Sequence, residues 1–166
     1  MNPYAATFLL LTASLIQASF LPHFMWRGLG PDLVMLLVIS WSLLRGAKEG
    51  PIWGFIGGLT LDLLSASPLG LSALLLTIAG ASSSRGQKSI YRINILLPLT
   101  TAFLASLGYH LALLLSWQIM GRPTAWQEAF LNTVLPTALM NTLLMLIIYP
   151  SLSWLHRRTG PERMEW

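Results

Sequence analysis

The chain has 166 residues, of which 54% are hydrophobic and only 10% are charged, whereas soluble domains carry roughly 25% charged residues. A soluble fold of this length buries only about 70% of the surface of its unfolded chain, so many apolar side chains would remain in water. Ten Lys and Arg residues against six Asp and Glu give a net charge of +4. The basic residues lie in short connectors, which argues against a nucleic-acid ligand, and the absence of cysteine excludes disulfides and thiol chemistry.

Six apolar segments follow one another and predict one all-α transmembrane domain over residues 1–158, with a short cytoplasmic tail at 159–166. A spanning helix needs about 20 residues, and the first, fifth and sixth segments meet that length. Fourteen residues reach only about 21 Å. The three central segments are therefore expected to be thin spans extended by their flanks, or half-spans buried among neighbours. The predicted helices cover residues 3–21, 31–44, 51–65, 69–82, 93–120 and 129–155.

The placement of basic residues predicts the topology, because cytoplasmic connectors are enriched in Lys and Arg. With a cytoplasmic amino terminus and six spans, the outer segments hold only Arg27 and Arg122. The basic residues follow this pattern only if both short central runs cross the membrane, so both termini are expected in the cytoplasm. The inner segments then hold eight basic residues: Arg45, Lys48, Arg85, Lys88, Arg92, Arg157, Arg158 and Arg163.

Small residues recur in the third predicted helix. Gly50, Gly54 and Gly58 are spaced four apart and lie on one helical stripe with Asp62, and Gly57 is adjacent. Such a stripe lets two helix backbones approach closely in a bilayer. It indicates either packing within the chain or an interface with a partner, which could be a second copy.

Asp62 is an acid inside an apolar helix, where a charged group costs roughly 2.5–3.5 kcal/mol on insertion scales. It precedes a predicted outer turn that includes Ser65, Pro68 and Gly70. Asp62 is expected either to fix this turn by hydrogen bonds or to relay protons or cations. Pro31 and Asp32 begin the second helix on the same predicted side, where an acid suits the positive end of the helix dipole.

The predicted inner turn between the second and third helices carries Arg45, Lys48 and Glu49. These residues are expected to enforce topology, although they could also contact a cytosolic partner or anionic headgroups. The three histidines lie on different segments without metal-ligand spacing, and no motif of hydrolases, metalloproteases or nucleotide-binding loops is present. We therefore expect no metal, no cofactor and no enzymatic activity.

The central part of the chain resembles the family of the bacterial rod-shape-determining protein MreD. The resemblance rests on the second to fourth predicted helices, and the turn reads Ser65-Ala66-Ser67-Pro68 where the family more often has Ser-Gly-x-Pro. The matching motifs are Pro31-Asp32-Leu33, Arg45-Gly46, Glu49-Gly50, Gly54-Phe55, Gly57-Gly58-Leu59, Asp62-Leu63-Leu64-Ser65 and Pro68-Leu69-Gly70.

This resemblance implies a component of the cell-elongation machinery in the bacterial cytoplasmic membrane. It implies partnership with MreC, and with MreB, RodA and a class B penicillin-binding protein, and a six-helix bundle similar to the substrate-binding subunits of energy-coupling-factor transporters. A non-enzymatic scaffold is the leading hypothesis. The alternative is a solute-binding or transport subunit whose outward pocket is lined by Gln17, Asp62, Asn94, His110 and Asn141.

Overall fold

The computed structural model describes residues 3–19, 30–65, 69–85, 95–122 and 125–159. Within these ranges the chain forms six helices, which confirms the predicted all-α fold. Pro68, Asn94, the predicted tail from residue 160 onward and the basic residues Arg27, Lys88, Arg92 and Arg163 lie outside the described residues. The first five helices are α1 (Pro3–Ser19), α2 (Leu33–Arg45), α3 (Gly50–Leu64), α4 (Leu71–Ser84) and α5 (Leu96–Ile119).

The sixth helix, α6, changes its winding along its length. It begins as an α-helix at Trp126–Ala129, passes through a π-helical turn at Phe130–Val134 and continues as an α-helix over Leu135–Thr159. Pro136 lies two residues after the last residue of the π-helical turn. Proline has no N–H to donate and its ring clashes with the carbonyl four residues earlier, so the wider turn accommodates it without ending the helix.

Helix α2 is the centre of the bundle and packs against each of the other five helices. Nine of its thirteen residues are buried, and Leu36, Ile39 and Leu43 have no exposed surface. A helix that is apolar all round is stable only when protein or lipid surrounds it. Here the surroundings are protein, so α2 is a short helix buried among its neighbours.

Helices α3 and α4 form the closest pair, because glycines of α3 lie against the backbone of α4. A Cβ atom built on Gly54 would lie 2.3 Å from the carbonyl oxygen of Leu76, and one on Gly58 would lie 2.4 Å from the Cα atom of Ala73. Gly50 faces Gly80 in the same way, because a Cβ atom built on Gly50 would lie 2.7 Å from the carbonyl oxygen of Gly80. No larger side chain fits between these backbones, which is the packing that small residues permit inside a bilayer.

The helices differ in length. Among the described residues, only α5 and α6 are both long enough and apolar enough to cross a membrane, judged by length and composition. Asp32, at the start of α2, lies beside Asn141 of α6 and His110 of α5. His110 is nine residues before the end of α5, and Asn141 is fifteen residues after the start of α6. At 1.5 Å per residue, the two long helices extend about 14 Å and 22 Å beyond the first residue of α2.

The sequence predicted Asp32 at the start of the second helix and Asp62 toward the outer end of the third, without predicting how far the neighbouring helices extend past them. The structure places both acids level with the middle of α5, since Asp62 is joined to Tyr109 through Ser72. The reason is length. Helix α2 has thirteen residues and reaches about 20 Å, whereas the 24 residues of α5 reach about 36 Å.

Candidate functional site

Asp62 caps the first turn of the following helix. Its carboxylate accepts hydrogen bonds from the backbone N–H groups of Gly70, Ser72 and Ala73 at 2.9, 3.0 and 3.0 Å. The first N–H groups of a helix have no partner within that helix, and the N-cap residue of α4 is Gly70, which has no side chain to supply one. An acid from α3 therefore performs the capping, favoured by the positive end of the α4 dipole.

Gly70 is suited to this turn for a conformational reason. Its φ angle is +93°, in the left-handed region that glycine occupies at little cost. This conformation points its own N–H and those of the next turn toward the 2%-exposed Asp62 side chain. Ser65, at the other side of the turn, is exposed and ends α3.

Asp32 connects three helices, although the sequence placed it as an acid favoured by the dipole of its own helix. Its side chain makes no cap hydrogen bond to α2. Instead, the amide of Asn141 donates to Asp32 Oδ2 at 2.7 Å and to Ser106 Oγ at 2.9 Å, while Asn141 Oδ1 accepts from the Asp32 backbone N–H at 3.0 Å. Gln17 of α1 takes over the capping of α2, accepting from the Val34 N–H at 2.9 Å.

His110 faces the same carboxylate, and its hydrogen bonds fix where a proton must lie. Its Nδ1 atom is 2.9 Å from the backbone carbonyl of Ser106, which can only accept, so Nδ1 carries a hydrogen. Its Nε2 atom is 3.5 Å from Asp32 Oδ2. Two acceptors would repel each other at this position. A proton on Nε2 or on the carboxyl group makes this contact attractive, and either placement makes the pair neutral overall.

Tyr109 joins the two acidic groups into one network. Its hydroxyl donates to Ser72 Oγ at 3.1 Å, next to the Asp62 cap, and its ring packs edge-on against His110 with centroids 5.5 Å apart. We call Asp32, Asp62, Ser72, Ser106, Tyr109, His110 and Asn141 the mid-bundle network. It ties α2, α3, α4, α5 and α6 together at one level.

The opposite ends of the short helices carry a second charged cluster. Arg45 Nη1 donates to Glu49 Oε1 at 3.0 Å, and Trp53 Nε1 donates to Glu49 Oε2 at 3.2 Å. Partial burial acts to raise the pKa of Glu49, but the Trp53 hydrogen bond and the Arg45 charge outweigh it and leave that pKa lowered. Lys48 is exposed in the same connector.

The glycine stripe is buried inside the chain. Gly50, Gly54 and Gly58 face α4, while Gly57 faces α2, where its added Cβ would lie 2.9 Å from Val34 Cγ1. These four positions are thus occupied by internal contacts, and a partner would have to bind elsewhere. The exposed residues of α3 lie on its other face, among them Phe55, Leu59 and Leu63.

Four of the five polar residues that the sequence grouped around a solute pocket lie in the described part of the chain, and each contacts a neighbouring helix. Gln17, Asp62 and Asn141 do so by hydrogen bonds, and His110 does so through the 3.5 Å contact between its Nε2 atom and Asp32 Oδ2. A groove of about 540 Å³ lies between α4 and α5, lined mainly by apolar residues such as Leu75, Ile78 and Leu104.

Sequence reasoning did not single out Ser72, Ser106 or Tyr109. A signal was present at one of them, because Ser106 and His110 are four residues apart in an apolar helix and therefore lie on one face. The positions of Ser72 and Tyr109 depend on how α4 and α5 pack, which no local pattern specifies.

Within the described residues, no three His, Asp or Glu side chains are grouped to hold a metal ion. The hydroxyl groups of the network donate to or accept from neighbouring polar groups, and none is paired with a histidine side chain as a nucleophile would be. The arrangement can hold helices in register and hold one proton.

Comparisons with known proteins agree with the motifs of the central helices. Neither the curated proteins nor the solved structures give a match to this chain. A family model described as rod shape-determining protein MreD matches residues 3–159 of the 166. Since the match covers nearly the whole chain, including every helix described above, this protein is a member of the MreD family, a family of membrane proteins with a role in rod-shape determination.

Proposed function

We propose that this chain is a non-enzymatic scaffold of the cell-elongation machinery, which binds MreC directly and helps to position MreB, RodA and a class B penicillin-binding protein for peptidoglycan synthesis. The observation that carries the proposal is the mid-bundle network. Its polar groups bond to one another across five helices, which rigidifies the bundle rather than presenting reactive groups to a substrate.

The proposed topology has six crossings in the bacterial cytoplasmic membrane with both termini in the cytoplasm. Support comes from the eight-to-two bias of basic residues between the two sides. In this frame the Arg45 end of the short helices faces the cytoplasm and the mid-bundle network lies within the membrane. The uneven helix lengths also suit the likeness to substrate-binding subunits of energy-coupling-factor transporters, which we keep as part of the proposal.

We place the surface for MreC on the parts of α5 and α6 that extend beyond the mid-bundle network. Large apolar side chains are exposed there, including Leu115, Ile119, Met120 and Leu131. Contiguous exposed apolar surface marks either lipid or a partner. A partner helix is expected to be stabilised more by packing against these extended parts of α5 and α6 than against the shorter helices α3 and α4. Beside the extensions, the polar ends of the partner helix can pack against two helices instead of lipid alone.

The test is co-purification of MreC together with the shape of rod-shaped cells depleted of the native protein. We expect Leu115→Trp and Leu131→Trp to reduce MreC recovery and leave cells rounded, while Leu63→Trp, on the exposed face of α3, restores rods and retains MreC. Normal rods in cells that lack the protein altogether, together with no recovery of MreC by the unmodified chain, would refute the scaffold.

The same purified protein can be used to distinguish the scaffold from the solute-binding alternative. A scaffold is expected to carry no stoichiometric solute in intact-protein mass spectrometry. The involvement of Gln17, His110 and Asn141 in contacts between helices favours the scaffold, because these side chains are already used for packing.

A further inference from the structure

Arg45 presents an incompletely bonded edge of its guanidinium group. Nη1 donates to Glu49, whereas Nε and Nη2 are shielded from solvent and have no hydrogen-bond partner among the described residues. The N–H groups of Nε and Nη2 point in parallel from one side of the planar group. This is the arrangement that binds two oxygens of a phosphate or carboxylate.

The cost of leaving this edge unpaired indicates that another molecule pairs with it. A buried donor without an acceptor is unfavourable, and a charged donor more so. The Arg45 side chain is 19% exposed, so it lies at the surface of the bundle, where a side-chain rotation can present the shielded edge to a headgroup. Its guanidinium carbon is 5.5 Å from the centre of the Trp41 ring.

An apolar groove lies on the same face of α2 as this charge, since Leu37, Trp41 and Arg45 are spaced four residues apart. It has a volume of about 280 Å³ between α1, α2 and α6, with Leu9, Leu37, Ile148, Leu152 and Leu155 in its lining. Three of these residues, Leu9, Leu37 and Leu152, also line a small cavity whose wall includes Trp41. Apolar surface therefore continues from the groove to the ring that packs against Arg45.

Two further cations lie at the same end of the bundle. Trp41 packs edge-on against His156 at 6.3 Å, and the two cations, Arg157 and Arg158, follow His156 in the last turn of α6. The Arg158 guanidinium lies 4.1 Å from the centre of the Trp154 ring. The only acidic side chain that pairs with Arg45 among the described residues is Glu49, on the other edge of the guanidinium. The local excess charge is positive.

We propose that Arg45 and the adjoining groove bind one phospholipid with an anionic headgroup. The phosphate is bound by Nε and Nη2 of Arg45, and part of an acyl chain lies in the groove between α1, α2 and α6. Charge complementarity selects this occupant, because basic pockets between helices on the cytoplasmic side recruit anionic lipids. The sidedness rests on the topology proposed above.

The test measures lipid retention by the purified full-length chain in detergent, by native mass spectrometry with added phosphatidylglycerol or phosphatidylcholine of identical acyl chains. We expect about one bound phosphatidylglycerol, retained about tenfold more tightly than phosphatidylcholine. Arg45→Gln is expected to remove that preference. Lys48→Gln is the matched control, since it removes one exposed charge from the same connector and is expected to keep the preference.

Two further variants keep the proposal open to refutation if Arg45→Gln fails to fold. Arg45→Lys retains the charge but not the parallel donors, so we expect several-fold weaker retention, and wild-type retention by this variant overturns the assignment. Ser151→Trp fills the groove and is expected to weaken binding without altering any charge.

Equal retention of the two lipids, or equal loss on Lys48→Gln and Arg45→Gln, also overturns the proposal. So does thermal stabilisation by inorganic phosphate alone that matches stabilisation by phosphatidylglycerol, because the edge would then hold a free anion. The measurement uses the isolated chain. Its failure therefore leaves the MreC experiment unaffected, and failure of MreC binding leaves this result unaffected.

Discussion

Replacement of Asp62 by Asn tests whether this acid stabilises the bundle by capping α4. The two side chains have nearly the same shape, so the change alters charge and hydrogen bonding with little change in packing. Asp62 Oδ2 accepts from Gly70 and Ala73, and Oδ1 accepts from Ser72. An asparagine side chain can keep its oxygen at the position of Oδ2. Its NH₂ group then lies at the position of Oδ1 and faces the N–H of Ser72, so that two donors oppose each other.

The expected magnitude follows from these three bonds. Hydrogen bonds to a charged group contribute about 1.5–3 kcal/mol each and neutral ones about 1 kcal/mol, while a buried unpaired donor costs about 1–3 kcal/mol. Two weakened bonds and one lost bond would add up to about 4 kcal/mol, and relief of the buried charge offsets part of that. We expect Asp62→Asn to lower the free energy of unfolding by about 2–4 kcal/mol, and Asp62→Ala by more, since all three donors lose their acceptor.

The assay is unfolding of the purified protein in mixed detergent and SDS micelles, followed by tryptophan fluorescence. Leu63→Ala is the matched control, because Leu63 adjoins Asp62 but is 68% exposed, and its truncation is expected to change stability by less than about 0.5 kcal/mol. A free energy of unfolding for Asp62→Asn that equals that of the control would refute the capping role and would direct attention back to proton or cation relay.

Three other substitutions probe the remaining contacts by the same unfolding assay. Gly58→Ala should destabilise the protein by about 3 kcal/mol or more, because the added Cβ atom would lie 2.4 Å from backbone atoms of α4. Gly108→Ala is the control and should be neutral or stabilising, because its added Cβ atom would have no atom within 4 Å. Equal effects of the two substitutions would contradict the packing of α3 against α4. The costs of Asp32→Leu and His110→Leu should sum to more than the cost of the double variant, because each single change removes the side chain that the other faces at 3.5 Å, and strictly additive effects would contradict the pairing. Glu49→Gln should lower stability at neutral pH by at most about 1 kcal/mol, given its exposure. Because the pKa of Glu49 is lowered in the folded state, its charge stabilises the folded protein at pH values above the unfolded-state pKa, and this stabilisation is lost as the pH falls through the folded-state pKa. The difference in stability between wild type and Glu49→Gln should therefore vanish in acid. A difference that persists in acid would exclude the charge as its cause.

The sequence predicted the number and kind of helices well, because length and hydropathy are local properties. The bounds of α3 and α5 differ from the predicted ones by at most three residues at any end. The four-residue spacing of Gly50, Gly54 and Gly58 also indicated close packing, and the structure places α4 against them. The identity of the partner helix depends on the order in which helices pack, which the spacing does not contain.

The depth of the acids could not be read from the sequence, since depth depends on register between helices. Apolar length placed Asp32 at a helix start and Asp62 near a helix end, and both positions are observed. Their level beside Tyr109 and His110 arises from contacts between segments more than 35 residues apart. Charge counting gave a topology but no measure of how far each helix extends.

The short helices give a physical reason for acids at mid-depth. A helix that ends within an apolar layer leaves its first N–H groups without water to bond, and each must find an acceptor in the protein. Helix α4 uses the carboxylate of Asp62, and α2 uses the amide oxygen of Gln17. Asp32, freed from capping, bonds instead to Asn141 across the bundle. The residues that looked most like a reactive site are thus explained by where α2 and α4 begin, and the surface that we propose for MreC lies on the extensions of α5 and α6.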